Sequence, residues 1–111
     1  MRKSVIQSEV IVLSKEYVPL VMSGRKRTTV RQGKRNYRLG EAHIKADDET
    51  IAIKITGVKY KKFGDLTDED AKTDGFENLG ELQAALRKFY PTINEMKVTT
   101  IVLFDVAKGG S

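Results

Sequence analysis

A basic cluster between Gly24 and Arg38 holds the side chains of this 111-residue chain that could do chemistry. Seven of the chain's 20 Lys and Arg residues lie there, although the formal net charge is only +5. Charges packed this closely repel one another unless they face solvent, an acidic segment or an anionic ligand. An arginine fork can bind a phosphate or a base edge, and a lysine supplies a point charge. The cluster therefore predicts a site for an anion or a nucleic acid.

Three side chains of different chemistry within the cluster are spaced so that they can meet. Thr29 and Arg31 lie two residues apart, and alternate residues of a β-strand point to the same face. Lys26 precedes them in a loop and could reach that face. A hydroxyl, an amine and a guanidinium would then line one pocket. The alternative is a solvated loop in which Thr29 is an ordinary strand residue.

The other basic residues of the cluster are expected to form an electrostatic rim, which would make nucleic-acid binding fall with added salt. Two tyrosines could stack on a base, although core or edge packing is the commoner role of a lone tyrosine. With Lys26 and Arg31 these residues make up the predicted nucleic-acid-binding surface. They are Arg25, Arg27, Lys34, Arg35 and Arg38 for the rim, and Tyr37 and Tyr60 for stacking.

An acidic segment follows, from Asp65 to Glu81, with seven Asp or Glu residues and one Lys. Asp74 is its most consequential member, because it lies at the expected end of a short helix, where a carboxylate gains no help from the helix dipole. We expect the cations around Lys26 and Arg31 to compensate its charge.

The elements that must position these residues are those of a small α+β domain. Apolar runs and alternating patterns predict five strands, the third and fourth joined as a hairpin. Five or six strands in this order favour a closed or nearly closed mixed β-barrel with two or three flanking helices. The predicted strands cover residues 10–13, 28–32, 42–46, 50–60 and 98–106, with turns at 39–41 and 47–49.

Capping residues and apolar spacing predict three helices. Ser14 is expected to cap the first, which ends at Gly24. Thr67 and Asp70 form the two halves of a capping box for the second. The third, closed by Pro91, carries four apolar side chains at helical spacing, of which the last three are expected to be core. These are Leu79, Leu82, Leu86 and Phe89.

Composition limits the class of protein. The length suits one domain, residues 1–108, with a flexible tail at 109–111. The absence of cysteine excludes disulfides, a thiolate nucleophile and zinc–thiolate sites, and the single histidine, His43, excludes a multi-histidine metal site. We expect no metal and no cofactor. No apolar run could span a membrane and no secretory signal is recognisable, so a cytoplasmic protein is expected.

Four blocks of sequence follow one another across nearly the whole chain. They are Ser23-Gly24-Arg25-Lys26, then Thr29 and Arg31, then Leu39-Gly40-Glu41, and finally 57–76, which includes Asp65-Leu66-Thr67 and Asp74-Gly75-Phe76. Their order resembles that of the ASCH family, small domains related to the PUA RNA-binding fold. The resemblance implies a PUA-like barrel with a cleft beside the GxKxxxxR loop, and binding of RNA or a modified nucleoside.

One bacterial branch of the family, of similar length, hydrolyses the acetyl amide of N4-acetylcytidine. In that branch Lys, Thr and Glu at the positions matching Lys26, Thr29 and Asp74 carry catalysis. By this resemblance Lys26 would activate Thr29, Asp74 would pass a proton to the leaving amine, and neighbouring arginines would lower the pKa of Lys26. Here Asp replaces Glu, which shortens the reach by roughly 1.5 Å, and acid–base catalysis needs contacts of about 2.6–3.2 Å.

The sequence therefore favours RNA or nucleoside binding, which needs only the charge pattern and the fold. A metal-independent amidohydrolase acting on N4-acetylcytidine is the alternative, and a protein-interaction module is the third hypothesis.

Overall fold

The structure, a computed structural model, describes residues 9–107 and contains one five-stranded sheet. The strands are β1 (Glu9–Val12), β2 (Thr28–Gln32), β3 (Gly40–Ala46), β4 (Glu49–Lys62) and β5 (Val98–Val106). They lie in the order β1-β3-β4-β5-β2, with β1 parallel to β3 and the other neighbours antiparallel. The tail predicted at 109–111, like residue 108, lies outside the described residues.

Three helices accompany the sheet: α1 (Val18–Met22), α2 (Asp68–Thr73) and α3 (Leu79–Phe89). Single 3₁₀ turns at Lys15–Tyr17 and Phe63–Asp65 precede the first two. The α+β class and the predicted numbers of strands and helices are confirmed. Across residues 9–107 no helix is long and apolar enough to cross a membrane.

The two edge strands of the curled sheet are β1 and β2, which are not paired with each other among the described residues. Arg31 Nη2 in β2 donates a hydrogen bond to the carbonyl oxygen of Val12 in β1 and so links the two edges. The sheet is therefore a half-barrel, as the prediction of a nearly closed barrel allows.

Two hydrophobic cores lie on opposite faces of β5, because its residues alternate between them. Val102 and Phe104 belong to the first core, with α1 and strands β1, β3 and β4. Ile101 belongs to the second core, with Val30 and side chains of α2 and α3. In the β2–β5 register Val30 pairs with Ile101 and Thr29 with Val102. Strand alternation therefore turns Thr29 toward the first core.

Strands β2 and β5 have the predicted bounds, whereas β3 and β4 are longer than predicted. The turn expected at 39–41 is wrong, because Gly40 begins β3 and pairs with Ile55 of β4. Strand β4 also has an irregular register between Ile55 and Gly57. This shift lets Val58 pack on the first core together with Ile55, although the two are three positions apart and regular alternation would put them on opposite faces.

The helix predictions hold with two corrections. The Thr67–Asp70 capping box is present at α2. Ser14 precedes the first 3₁₀ turn, but its side chain makes no capping hydrogen bond. In α3 the buried row ends at Leu86, so the prediction that Phe89 is core is wrong: its side chain is 50% exposed.

Candidate functional site

A buried ion pair joins the basic loop to the acidic segment. Lys26 Nζ lies 2.7 Å from Asp74 Oδ1, and the two side chains are only 3% and 5% exposed. The same Nζ donates to the Asp74 carbonyl oxygen at 3.2 Å. The two backbones also form an isolated antiparallel β-bridge. The expected compensation of Asp74 by a cation of the basic cluster is thus confirmed, and Lys26 provides it.

The end of α2 holds this pair in place. Asp74 caps the helix, and Gly75 follows with a φ of +94°, a conformation that L side chains rarely adopt. A Cβ at Gly75 would lie 3.3 Å from Lys26 Cβ and 3.2 Å from Leu20 Cδ1. The loop is fixed on the other side by Arg27, whose N–H donates to the Thr73 carbonyl at 2.7 Å. Glycine at position 75 therefore permits the close approach of loop and helix end.

Burial sets the electrostatics of the pair. It lowers the pKa of Lys26 below its ordinary value, and the charge of Arg31 adds to this, while Asp74 opposes it. Burial likewise raises the pKa of Asp74, against the effects of Lys26, the Thr28 hydroxyl and Arg31. The two pKa values are therefore drawn toward each other. Of the arginines expected to lower the pKa of Lys26, Arg31 does so.

The hydroxyl that reaches Asp74 belongs to Thr28, not to Thr29. Thr28 Oγ1 donates to Asp74 Oδ1 at 3.2 Å. Thr29 is buried on the opposite face of β2 and is not among the residues that line the cavity beside the pair. The structure therefore brings Lys26 and Asp74 together and leaves Thr29 apart from them. The catalytic role of all three stays a prediction.

A cavity of about 450 Å³ opens beside the Lys26–Asp74 pair, between α3, β2 and the connection from β1 to α1. Three charged side chains that are buried or half-buried line it, and we call them its polar floor: Lys26, Asp74 and Arg31. Its walls are mainly apolar and aromatic. The aromatic members are Tyr17, Phe76, Phe89 and Tyr90, with Val12, Leu13, Val30, Leu82, Ala85 and Leu86 between them and Ser14 and Asp47 as further polar lining residues.

Tyr17 connects the aromatic wall to the polar floor. Its ring packs edge-on against Phe76, with centroids 6.1 Å apart, and lies 5.3 Å from Lys26 Nζ. Burial raises the pKa of Tyr17, and the nearby carboxylates of Glu16 and Asp74 add to this effect. Sequence reasoning missed this aromatic wall. The only signal was the helical row that ends at Phe89.

Arg31 is the third member of the floor. Its Nη2 is engaged with the Val12 carbonyl oxygen, whereas its Nε is buried and has no hydrogen-bond acceptor among the described residues. Sequence analysis predicted that Arg31 shares a pocket with Lys26, and both residues line this cavity.

The predicted nucleic-acid-binding residues fall in different places. Arg25 and Arg27 are exposed on the loop that carries Lys26, and Arg25 pairs with Glu77 at 3.2 Å. Neither of them lines the cavity, and the remaining rim and stacking residues do not line it either. They are Lys34, whose Nζ lies 5.3 Å from the Tyr60 ring; Arg35, whose carbonyl accepts from the Tyr60 hydroxyl; Tyr37, packed against the first core; and Arg38, whose N–H donates to Glu9.

Metal ligands do not cluster in the part of the chain that the structure describes. Within residues 9–107 no three His, Asp or Glu side chains lie close enough together to hold a metal ion. The functional groups that line the cavity include ammonium, guanidinium, carboxylate and aromatic groups.

A model of the ASCH domain family matches residues 5–105, which is nearly the whole chain. The chain belongs to the ASCH domain family. Its structure is similar to that of an ASCH domain from Lactobacillus crispatus JV V101, with a TM-score of 0.74 and 18% identity, covering 88% of this chain and 79% of that chain. The resemblance and the PUA-like fold expected from the four sequence blocks are confirmed.

Two further solved structures share this ASCH fold. A protein from Enterococcus faecalis V583 gives a TM-score of 0.77 at 15% identity, covering 94% of this chain and 78% of that one. A mutant of ZmASCH from Zymomonas mobilis gives 0.64 at 17% identity, covering 86% and 67% respectively. No curated protein matches the chain. At these identities the likeness extends to the fold alone.

Proposed function

We propose that the cavity of this ASCH domain binds one nucleobase or nucleoside, either free or as part of single-stranded RNA. The observation that carries the proposal is the union of aromatic walls and a buried polar floor in one cavity of about 450 Å³. Small-molecule sites are typically of this size, mainly apolar, and provided with a few polar groups that fix orientation. A nucleobase has both properties, since its faces stack and its edge makes hydrogen bonds.

The exposed arginines on this loop would supply the phosphate contacts that RNA binding requires in addition to the cavity. Arg25 and Arg27 lie on the loop that carries Lys26, so phosphates flanking a bound base would meet them first. Phosphate contacts provide affinity without base preference, whereas contacts to a base edge provide specificity. The basic group around Lys34 and Tyr60 is a separate surface, and its predicted role in RNA binding remains part of the proposal.

Titration of the protein with uridine, cytidine, inosine and adenosine, followed by NMR chemical shifts, tests the cavity. Filling it with Ala85→Phe should abolish the shifts. Ala84→Phe is the matched control, because Ala84 is the exposed neighbour on the same helix whereas Ala85 lines the cavity. Shifts that persist in Ala85→Phe, or that are absent from the unmodified protein, would contradict the proposal.

Binding to a short single-stranded RNA tests the rim separately. Arg25→Ala and Arg27→Ala should weaken RNA binding and reduce its dependence on salt concentration, because each loses about one phosphate contact. Neither should change nucleoside binding. Equal loss of nucleoside and RNA binding would show that these arginines act inside the cavity and not at its rim.

An amidohydrolase acting on N4-acetylcytidine is the second candidate, and the Lys26–Asp74 geometry favours it. A hydroxyl would attack the acyl carbonyl while the neutral Lys26 amine takes its proton. Asp74 in its acid form would protonate the leaving amine, and water would then hydrolyse the acyl ester. The lowered pKa of Lys26 and the raised pKa of Asp74 suit these roles.

Incubation with N4-acetylcytidine and chromatography for cytidine decides between the candidates. Turnover by the unmodified protein would establish the enzyme. Comparing Thr28→Ala with Thr29→Ala then identifies the hydroxyl, since Thr28 contacts Asp74 and Thr29 does not line the cavity. No turnover together with nucleoside binding leaves a binding domain. A protein-interaction module is the remaining hypothesis if both assays fail.

A further inference from the structure

We infer that Arg31 selects the ligand through a hydrogen bond from its Nε to a carbonyl oxygen of the base, so that the cavity prefers carbonyl-bearing bases to bases without a carbonyl. The inference rests on the proposed nucleobase function of the same cavity. It goes beyond it by naming the ligand group that is recognised and the residue that recognises it.

The unpartnered Nε of Arg31 is the observation that requires an explanation. It is buried, and the described residues offer it no acceptor. A buried donor without a partner destabilises the folded state, so such groups are rare in folded proteins. Because Arg31 lines the cavity, a ligand that displaces the groups covering Nε can supply the missing acceptor.

The guanidinium is also held in position before any ligand arrives. Its Nη2 donates to the Val12 carbonyl oxygen of the opposite edge strand. A donor fixed in this way loses little conformational freedom when it binds, which strengthens its preference for a correctly placed acceptor. The geometry points to one hydrogen bond from Nε at a fixed place in the cavity.

The surroundings favour a neutral acceptor over a phosphate. Two carboxylates, Asp74 and the exposed Asp47, line the same cavity, and the charge of Lys26 is already compensated by Asp74. A phosphate would meet those carboxylates and would be stripped of water between apolar walls, which is costly. A base carbonyl oxygen pairs with Nε without either penalty. Arg31 therefore recognises the base, and the exposed arginines bind phosphate.

Calorimetric titration with inosine, uridine and purine riboside tests the inference. Purine riboside lacks the carbonyl of inosine, so the protein should bind inosine and uridine about ten- to a hundred-fold more tightly. Arg31→Lys keeps the positive charge and removes Nε. It should bring the ratio of the affinities for inosine and purine riboside close to one. Arg35→Lys is the matched control, because Arg35 is exposed and its Nε donates to the Gln32 carbonyl; its ratio should be unchanged.

The affinity ratio separates recognition from a structural role. Arg31 also ties β2 to β1, so Arg31→Lys could reduce stability, but partial unfolding would weaken all ligands equally and leave the ratio intact. If Arg31→Lys does not fold, Arg31→Met provides a second variant of similar length with no donor at that position. A ratio near one in the unmodified protein, or a ratio unchanged in the folded variant, overturns the inference alone. No binding of any nucleoside overturns the proposed function and the inference with it.

Discussion

Lys26 and Asp74 are joined twice, by an antiparallel backbone bridge and by an ion pair of 2.7 Å between Nζ and Oδ1. The backbone bridge fixes the distance between the two chain segments. The side-chain pair then sets the charge at the floor of the cavity. Substitutions of the two side chains change the charges but keep the backbone atoms of the bridge. The ion pair and the bridge can therefore be tested separately.

Removing one partner of the buried pair should destabilise the fold strongly. Lys26→Met leaves the Asp74 carboxylate buried and uncompensated, which should cost about 3–5 kcal/mol of unfolding free energy. The double variant Lys26→Met with Asp74→Leu should recover most of that loss, since no charge is left behind. Urea unfolding measures both. Arg25→Ala, which breaks only the exposed pair with Glu77, should cost less than about 1 kcal/mol. Equal costs for Lys26→Met and Arg25→Ala would show that the pair is solvated.

The two adjacent threonines should differ in their contribution to stability. Thr28→Val removes the hydroxyl that donates to Asp74, at an expected cost of about 1 kcal/mol. Thr29→Val replaces a hydroxyl on the opposite face of β2, which does not contact Asp74, and it should cost less. The two isosteric variants are controls for each other in thermal or urea unfolding. A larger loss for Thr29→Val would mean that its hydroxyl has the more important partner.

Two glycines with positive φ provide a test of close packing. Gly24 has a φ of +84° and open space where a Cβ would lie, whereas a Cβ at Gly75 would contact Lys26 and Leu20. Gly24→Ala should therefore cost only the left-handed backbone penalty, about 1–2 kcal/mol. Gly75→Ala should cost about 1–3 kcal/mol more because of overpacking. Nucleoside binding should fall only in Gly75→Ala, since the added methyl displaces Lys26.

Asp70 should make part of the stability sensitive to acid. Burial alone would raise its pKa, but hydrogen bonds from Lys61 and Thr67 and the charge of Lys61 outweigh this and hold the pKa below 3.8. A lowered pKa in the folded state contributes stability above pH 3.8, and that stability is lost as the pH falls through the folded value. Asp70→Asn should therefore lower the unfolding free energy at neutral pH by about 1 kcal/mol.

Urea unfolding of the Asp70→Asn variant at pH 7 and at steps below pH 4 checks the sign. The difference from the unmodified protein should shrink as the pH falls. Asp105→Asn, at an exposed position of β5, should show the same acid dependence as the unmodified protein. A difference that grows in acid would mean that the folded state raises the pKa of Asp70.

Local sequence signals predict the elements of the fold correctly where tertiary contacts do not oppose them. Strands β2 and β5 are rich in β-branched residues, and both have the predicted bounds. Leu39-Gly40-Glu41 was predicted as a turn, but pairing of Gly40 with Ile55 extends β3 through it. In this case a tertiary contact overrides the local preference of glycine for turns.

The site is harder to predict, because its register is set by a contact between distant segments. Lys26 lies in a β-bridge with Asp74, so alternation places Thr28 on the side of Lys26 and turns Thr29 away. Sequence analysis treated Lys26 as part of a loop and chose Thr29. The aromatic wall was missed for a similar reason, since Tyr17, Phe76 and Phe89 come from three separate segments.

The separation of 48 positions between Lys26 and Asp74 also has a consequence for folding kinetics. A contact between such distant positions requires closing a large loop, and closure entropy makes contacts of this kind slow to form. Since α2 and the β3–β4 hairpin depend on nearer neighbours, we expect them to form earlier than the cavity. Ligand binding would then report only the fully folded chain, and a refolding experiment should regain helix and strand signals before it regains affinity.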